Sequence, residues 1–130
     1  VFIYFQPLFS WGMPRGQMKM DGIEVFTFSI KKVPILVGDI LKQNDLQMED
    51  IDLFVFHQAS KIILKSIQRK LKIDDKRMAY YIENNGNTVS ISIPLALKEA
   101  EKEGRIKEGS KILIAGFGIG FSWSGTVLYY

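Results

Sequence analysis

Two polar motifs, each at the end of an apolar run, contain the residues of this sequence best suited to chemistry. His57 begins the motif His57–Ser60 directly after the strand-like run Leu53–Phe56, and Asn87 lies thirty residues further on, within Asn85–Thr88. An imidazole N–H and a carboxamide N–H aimed at one point would stabilise an oxygen that gains negative charge, which often contributes most to acyl-transfer catalysis. The sequence has no cysteine and no Ser or Thr in an obvious nucleophile motif. We therefore expect these two residues to belong to a larger catalytic unit.

Each motif also has a plainer interpretation when it is taken alone. A single histidine after a buried strand is more often structural than catalytic. Asn-Gly-Asn-Thr is ordinary chemistry for a turn followed by the start of a helix. The position of His57 favours function, because ligand crevices in open α/β sheets lie at the carboxyl ends of the strands. Asn87 is predicted close to a helix N-terminus, where positive potential favours anions.

The elements that would position these residues alternate between helix and strand. Apolar residues recur at three- and four-residue steps from Gly22 to Asn44, which predicts a helix that Pro34 must kink or divide in two. Ser60 can cap the next helix, and Gly104 can end the last one. After the first helix we predict a strand at 53–56, a helix at 61–71, a strand at 78–82 and a loop at 83–87. A helix at 88–103 follows, in which Pro94 is a local fault. The chain then forms a strand at 111–115, a turn at 116–120 and an alternating strand at 121–130.

This order predicts an α/β domain, with helices layered on a mixed sheet that ends in a hairpin. Residues 1–17 contain aromatic residues, Pro7, Pro14 and glycines without a sustained period, and we expect them to form an irregular arm or linker. Residues 18–130 would form the domain itself.

Composition excludes several classes of protein. The chain has 130 residues, 47% of them hydrophobic, and no apolar stretch reaches eighteen residues, so we expect no membrane span. The hydrophobic fraction is high for a small domain, and it indicates that some apolar surface meets another chain or domain. The absence of cysteine excludes disulfides and fits a cytoplasmic protein. One histidine and no cysteine cannot form a metal cluster, so we expect no metal.

Positive charge is concentrated after His57. Seven basic and two acidic residues lie between His57 and Arg77, a local excess of +5. Such a face attracts an acidic protein, a phosphate-bearing ligand or nucleic acid, although a solvated helix face explains it about as well. Nucleic acid is the weakest of these partners, because aromatic residues do not interleave with the basic ones. The glycines of Gly116–Gly120 precede an alternating segment and not a helix, so they do not form a dinucleotide-binding fingerprint.

These weak signals occur together and in a characteristic order. Taken as a set, they closely resemble the C-terminal half of beta-ketoacyl-acyl-carrier-protein synthase III, a condensing enzyme with the thiolase fold. The resemblance runs from about Met18 to Tyr130. The residues that carry it are Met20–Phe26, His57–Ala59, Gly86–Thr88, Ser92–Leu97, Gly104–Ile106, Gly116–Phe121 and Trp123.

The resemblance implies a role for each candidate residue. His57 and Asn87 would be two members of a Cys-His-Asn triad whose cysteine lies in an N-terminal half. Gly118 and Ile119 would contribute backbone to a second oxyanion hole, and Phe26 would line the pantetheine tunnel. The implied reaction is decarboxylative condensation of a malonyl thioester with an acyl thioester in fatty acid biosynthesis. No cofactor is implied, since the substrates carry phosphopantetheine as coenzyme A or acyl carrier protein.

The resemblance also implies the partners, and two departures from the family pattern affect them. Ser60 stands where the family often has Asn, and Ile62 stands where it often has an arginine that docks the carrier protein. Lys61 and Lys65 would take over that docking. The expected partners are acyl carrier protein, acyl-CoA, the cysteine-bearing half and further copies of this chain in a homo-oligomer. A non-catalytic carrier-binding module and a related synthase of polyketide or surface-sugar pathways remain alternatives.

Overall fold

A computed structural model describes residues 2–5, 21–118 and 120–130. The chain order is β1 (Phe2–Phe5), α1 (Gly22–Gln43), β2 (Leu53–Phe56), α2 (Lys61–Leu71), α3 (Ile82–Asn85), α4 (Ser92–Lys102), β3 (Lys111–Gly118) and β4 (Ser122–Tyr129). Short 3₁₀ turns at Met48–Asp50, Asp75–Arg77 and Val89–Ile91 connect them.

The strands form one mixed sheet in the order β1-β4-β3-β2. β2 and β3 are parallel, and β3 and β4 form an antiparallel hairpin. β1 pairs antiparallel with the outer edge of β4, from Phe2 opposite Gly125 to Phe5 opposite Ser122. The predicted mixed sheet and closing hairpin are therefore confirmed. The prediction of an irregular arm over residues 1–17 is wrong for Phe2–Phe5, and the rest of that range lies outside the described residues.

Helices cover both faces of the sheet because side chains alternate along each strand. Phe54 and Phe56 of β2 are fully buried on one face, where they pack with the apolar sides of α1 and α2. Leu53 and Val55 are buried on the other face against Ala96 and Ala100 of α4. Burying one such large side chain stabilises the fold by about 1.5–3 kcal/mol.

Helix α1 runs without interruption through Pro34. Proline has no N–H, so the carbonyl four residues earlier, on Ile30, loses its partner within the helix. Lys70 at the end of α2 donates its ammonium to that carbonyl at 3.0 Å. The side chain of one helix thus compensates for the proline in the other, and the alternative of two separate helices is wrong.

Glycine at position 125 allows α1 to lie directly on β4. A Cβ built there would come within 2.6 Å of the Ile114 carbonyl oxygen and 2.7 Å of Ile40 Cδ1. A real Cβ essentially never comes so close to a non-bonded atom, so a side chain at this position would force the β3 backbone or the Ile40 side chain to shift.

Several predicted element boundaries are confirmed and others are wrong. β2 and α2 occupy the predicted residues, and Ser60 caps α2 by accepting a hydrogen bond from the Ile63 N–H at 3.2 Å. The predicted turn at 116–120 begins later, because β3 extends to Gly118. Pro94 is no fault, since it lies in the first turn of α4, where the N–H has no helical partner.

The predicted strand at 78–82 is also wrong. Met78 makes only an isolated parallel bridge to Phe54, and the chain then turns into α3. The strand pairing ends there because the Tyr81 N–H donates to a side chain instead of to a neighbouring strand. Its acceptor is Gln58 Oε1, at 3.0 Å.

Arg105 also forms hydrogen bonds with the segment 76–81. Its Nη2 donates to the carbonyls of Lys76 at 3.0 Å and Met78 at 2.9 Å, and its Nη1 donates to the Tyr81 hydroxyl at 3.2 Å. That hydroxyl in turn donates to Glu103 at 2.6 Å. Burial, followed by the Glu103 hydrogen bond, raises the pKa of Tyr81. The end of α4 is thereby tied to the segment that Gln58 contacts.

Candidate active site

His57 lies at the carboxyl end of β2, beside the neighbouring parallel strand β3. Its backbone N–H continues the ladder by donating to the Ala115 carbonyl at 2.9 Å. The partly buried ring meets Phe117 edge to face, with 5.5 Å between ring centroids. Nδ1 lies 2.7 Å from the hydroxyl oxygen of Ser92 at the start of α4. The strand, the aromatic ring and the hydroxyl together fix the direction of the imidazole.

Asn87 lies in the loop between α3 and α4, and hydrogen bonds hold both ends of its carboxamide. Oδ1 accepts from the Val89 N–H at 2.9 Å, which leaves the Nδ2 group directed the other way. Nδ2 donates to the Ala59 carbonyl at 3.3 Å, two residues beyond His57. A carboxamide nitrogen has two N–H donors, so the second remains for a ligand.

Val89 adopts a backbone conformation that is rare for its type. Its φ is 54°, in the left-handed region where β-branched residues are genuine outliers. Such strain persists only where surrounding contacts enforce it, and it concentrates at functional sites. The Val89 N–H donates to Asn87 Oδ1, so the strained residue contacts one of the two candidate donors directly.

A single cavity of about 510 Å³ unites the candidate residues. His57, Asn87 and Gly118 all line it, and Ser92 and Val89 do so as well. Its remaining lining is mainly apolar or small, and comprises Val25, Ala59, Ser90, Ile93, Gly116, Phe117, Ser122, Trp123 and Ser124. His57 and Asn87 therefore border one largely apolar cleft, and in such surroundings hydrogen bonds to a charged oxygen are stronger than in water.

Burial keeps His57 neutral. It lowers the pKa of the imidazole below its ordinary value of 6.5, and hydrogen bonding to the Val89 backbone only partly offsets this effect. A neutral imidazole carries one N–H, so at neutral pH the ring can act as a hydrogen-bond donor without bringing a positive charge into the cleft.

Ser92 lines the cavity and Gln58 supports the segment behind it, and the sequence analysis singled out neither residue. Both are 2% exposed. Gln58 donates to the Phe56 carbonyl at 2.7 Å and accepts from Tyr81, so its side chain anchors the segment that carries His57. Both residues fall within the motifs quoted for the family resemblance. For Ser92 the available signal was a polar residue at the start of an otherwise apolar motif, whereas the motif that contains Gln58 is itself polar and gave no such signal.

Comparisons with known proteins identify the family of this chain. Residues 41–130 match the family model described as 3-oxoacyl-[acyl-carrier-protein (ACP)] synthase III C terminal. The chain belongs to this family.

Relatives in the family are considerably longer than this chain. The beta-ketoacyl-[acyl-carrier-protein] synthase III of Porphyra umbilicalis is 40% identical over 119 residues, which are 89% of this chain and 36% of that protein. The enzyme of the same name from Campylobacter jejuni strain RM1221 is 39% identical over 113 residues, covering 87% and 35% respectively. The chain thus spans about a third of the length of the curated relatives it matches.

Solved structures of the family share the fold. The synthase III of Thermus thermophilus superposes with a TM-score of 0.84 at 37% identity, over 98% of this chain and 41% of that one. The synthase III of Aquifex aeolicus VF5 gives a TM-score of 0.88 at 30% identity, over 98% and 42%. The predicted thiolase-like α/β fold of a synthase III C-terminal part is confirmed.

Not every residue predicted for a synthase III site reaches the cavity. Phe26 of α1 packs against the core beneath the sheet, and its neighbour Val25 lines the cavity instead. Gly118 lies at the end of β3 on the cavity wall, and a Cβ there would meet nothing within 4 Å. Ile119 lies outside the described residues.

Lys61 and Lys65 lie on the exposed side of α2, away from the cavity lining. Lys61 forms an ion pair with Glu83 of α3, and this hydrogen bond and charge lower the pKa of the Glu83 carboxylate. Lys65 borders a shallow surface depression together with Gln68, Arg69 and Lys72. The predicted docking surface is therefore basic and exposed, but Glu83 neutralises part of its charge.

Within the described residues, no helix is both long and apolar enough to span a membrane. No group of three or more candidate metal-ligating side chains comes together there either.

Proposed function

We propose that this chain is the C-terminal catalytic part of a 3-oxoacyl-acyl-carrier-protein synthase III, which condenses a malonyl thioester with an acyl thioester in fatty acid biosynthesis. The observation that carries the proposal is the cavity in which His57 and Asn87 lie together at the end of parallel strands. The names of the relatives supply the class of reaction, an acyl transfer with carbon–carbon bond formation.

The two donors suit the first step of such a reaction. Loss of carbon dioxide from a malonyl thioester leaves the bonding electrons on an enolate, whose thioester oxygen becomes negative. Nε2–H of neutral His57 and one Nδ2–H of Asn87 would donate hydrogen bonds to that oxygen. Removing one donor of this kind typically lowers the rate by about 10²–10³.

The second step needs a group that this chain does not contain. The enolate carbon would attack the carbonyl of an acyl thioester, and the thiolate would leave after the new carbon–carbon bond forms. The 130 residues include no cysteine, so we assign the acyl-bearing cysteine to an N-terminal part like those in the longer relatives. The backbone at Gly118 would stabilise the oxygen of that acyl group.

Exposed apolar side chains near the cavity favour an additional protein surface there. Val89 and Ile91 between α3 and α4 are 70% and 59% exposed, and Ile62 of α2 is 71% exposed. We propose that the N-terminal part and a second copy of the chain cover apolar surface of this kind, and that acyl-CoA and acyl carrier protein deliver the substrates. Light scattering of the isolated chain tests self-association, and a monodisperse monomer contradicts it.

A chimera tests the catalytic proposal. This chain would replace the matching C-terminal part of the Thermus thermophilus synthase III, and release of labelled carbon dioxide from a malonyl thioester would be measured. We expect activity, with a loss of about 10²–10³ for His57→Ala and for Asn87→Ala. Lys98→Met at an exposed position of α4 is the matched control.

The alternative is a non-catalytic module that binds a carrier protein through Lys61 and Lys65, which the exposed basic face of α2 favours. Under this alternative, His57→Ala changes neither carrier binding nor the activity of the chimera. A His57→Ala chimera with undiminished decarboxylation would therefore refute the catalytic proposal. A chimera that is folded but inactive with the wild-type sequence would refute it as well.

A further inference from the structure

Ser92 makes its polar contacts to two groups that belong to the His57 segment. Its hydroxyl oxygen lies 2.7 Å from His57 Nδ1 and 3.3 Å from the backbone nitrogen of Gln58. The side chain is buried, at the first residue of α4 and 35 residues from His57 in sequence. Burying a hydroxyl without hydrogen-bond partners is costly, so these two contacts are what make the burial of Ser92 favourable.

The groups involved fix the direction of the Gln58 hydrogen bond, whereas the direction of the His57 hydrogen bond depends on the tautomer of the ring. A backbone N–H can only donate, so the Ser92 oxygen accepts from Gln58. A hydroxyl also has one proton to give, and His57 Nδ1 at 2.7 Å is an acceptor within reach. With the hydroxyl proton directed at Nδ1, that nitrogen carries a lone pair, and the single proton of the neutral ring lies on Nε2.

We propose that Ser92 is a positioning residue that holds His57 in the Nε2–H tautomer, through a relay from the Gln58 N–H to the Ser92 hydroxyl and on to Nδ1. The tautomer of a histidine is set by the hydrogen bond at its other nitrogen. In the opposite tautomer, Nδ1–H would donate to Ser92, and the hydroxyl proton would need another acceptor. A buried hydroxyl proton left without an acceptor is unfavourable.

The start of the relay is itself held in place. Gln58 is 2% exposed, and its side-chain amide bonds to the Phe56 carbonyl and to the Tyr81 N–H. These bonds fix the backbone on which the Gln58 N–H sits, so the donor to Ser92 cannot easily turn away. The relay therefore links the end of β2, the start of α4 and the imidazole.

The catalytic meaning of this relay rests on the proposed function, while the tautomer does not. Only the Nε2–H tautomer offers a neutral ring donor on the side away from Ser92. If the relay failed, the same ring would present a lone pair to the developing oxyanion and would repel it.

The single histidine of the chain permits an unambiguous test. The 130-residue protein is labelled with ¹⁵N-histidine, and the two ring nitrogens are distinguished by their long-range ¹H–¹⁵N correlations at a pH where the ring is neutral. We expect wild-type protein to show Nε2–H alone. We expect Ser92→Ala to raise the Nδ1–H fraction, and Ser92→Thr, which keeps a hydroxyl, to retain the wild-type pattern.

Wild-type protein with Nδ1–H as its main tautomer would overturn the inference, whether or not any variant folds. An unchanged pattern in folded Ser92→Ala would also overturn it. In the chimera, Ser92→Ala should lower kcat by less than His57→Ala does and leave KM nearly unchanged. If the wild-type chimera is inactive while the tautomer depends on Ser92, the proposed function fails and the relay stands.

Discussion

Replacing Gly125 with alanine tests how α1 is seated on the sheet. The added Cβ would lie 2.6 Å from the Ile114 carbonyl oxygen and 2.7 Å from Ile40 Cδ1. A side-chain methyl can rotate away, but the carbonyl belongs to the neighbouring strand β3 and its movement would disturb the ladder. Overpacking of this kind costs about 1–3 kcal/mol, and the backbone contact places Gly125→Ala near the upper end, at about 2–3 kcal/mol.

The expected change in melting temperature follows from the size of the chain. An unfolding entropy of about 2.1 cal/mol/K per residue gives about 0.27 kcal/mol/K for a protein of this length. A loss of about 2–3 kcal/mol therefore lowers Tm by about 7–11 °C. Differential scanning calorimetry measures this shift, and urea unfolding gives the free energy independently.

Gly116→Ala is the matched control, because Gly116 lies on β3 and its nearest neighbour to an added Cβ is Ile93 Cδ1, at an ordinary 3.7 Å. We expect its effect to lie within about 1 kcal/mol of zero, since alanine reduces the entropy of the unfolded chain. Combining Gly125→Ala with Ile40→Val removes the Cδ1 contact and should recover part of the loss. Equal stability of the two alanine variants would refute the close packing of Gly125 against β3 and Ile40.

Two further predictions concern a helix contact and the histidine. Lys70→Met should destabilise the protein by about 0.5 kcal/mol in urea unfolding, because water replaces this exposed donor to the Ile30 carbonyl only partly. An effect no larger than that of exposed Lys98→Met would contradict this role. The His57 ring should titrate below pH 6.5 in NMR, because burial lowers its pKa. The unfolded chain then binds the proton more readily, so stability should be complete above pH 6.5 and decline as pH falls towards the lowered pKa. A His57→Gln variant with the same decline would show that other groups cause it.

Local patterns predicted the elements whose apolar residues repeat most regularly. β2 and α2 lie where four consecutive apolar residues and a three-to-four-residue period place them, and Ser60 caps the helix as expected. The hairpin that ends the chain was equally clear from its alternation. These elements depend on contacts between near neighbours, which composition and period describe well.

The incorrect predictions occur where a distant group replaces a local partner. The strand expected at 78–82 gives way to α3 because the Gln58 side chain takes the Tyr81 N–H. The helix continues through Pro34, and Lys70 supplies a donor to the Ile30 carbonyl that proline leaves without its helical partner. β1 forms because the outer edge of β4 accepts it, which no pattern within Phe2–Phe5 reveals.

The sequence by itself determined which residue types are available for catalysis, and the combination of motifs indicated the family to which the chain belongs. Only the tertiary structure decided that His57 and Asn87 line one cavity, that Val89 is held in a strained conformation and that Ser92 faces Nδ1 of the imidazole. The physical reason is that hydrogen-bond direction and burial depend on how separate elements pack. The contact between His57 and Ser92 joins residues 35 positions apart, and such a contact produces no periodic pattern in the sequence.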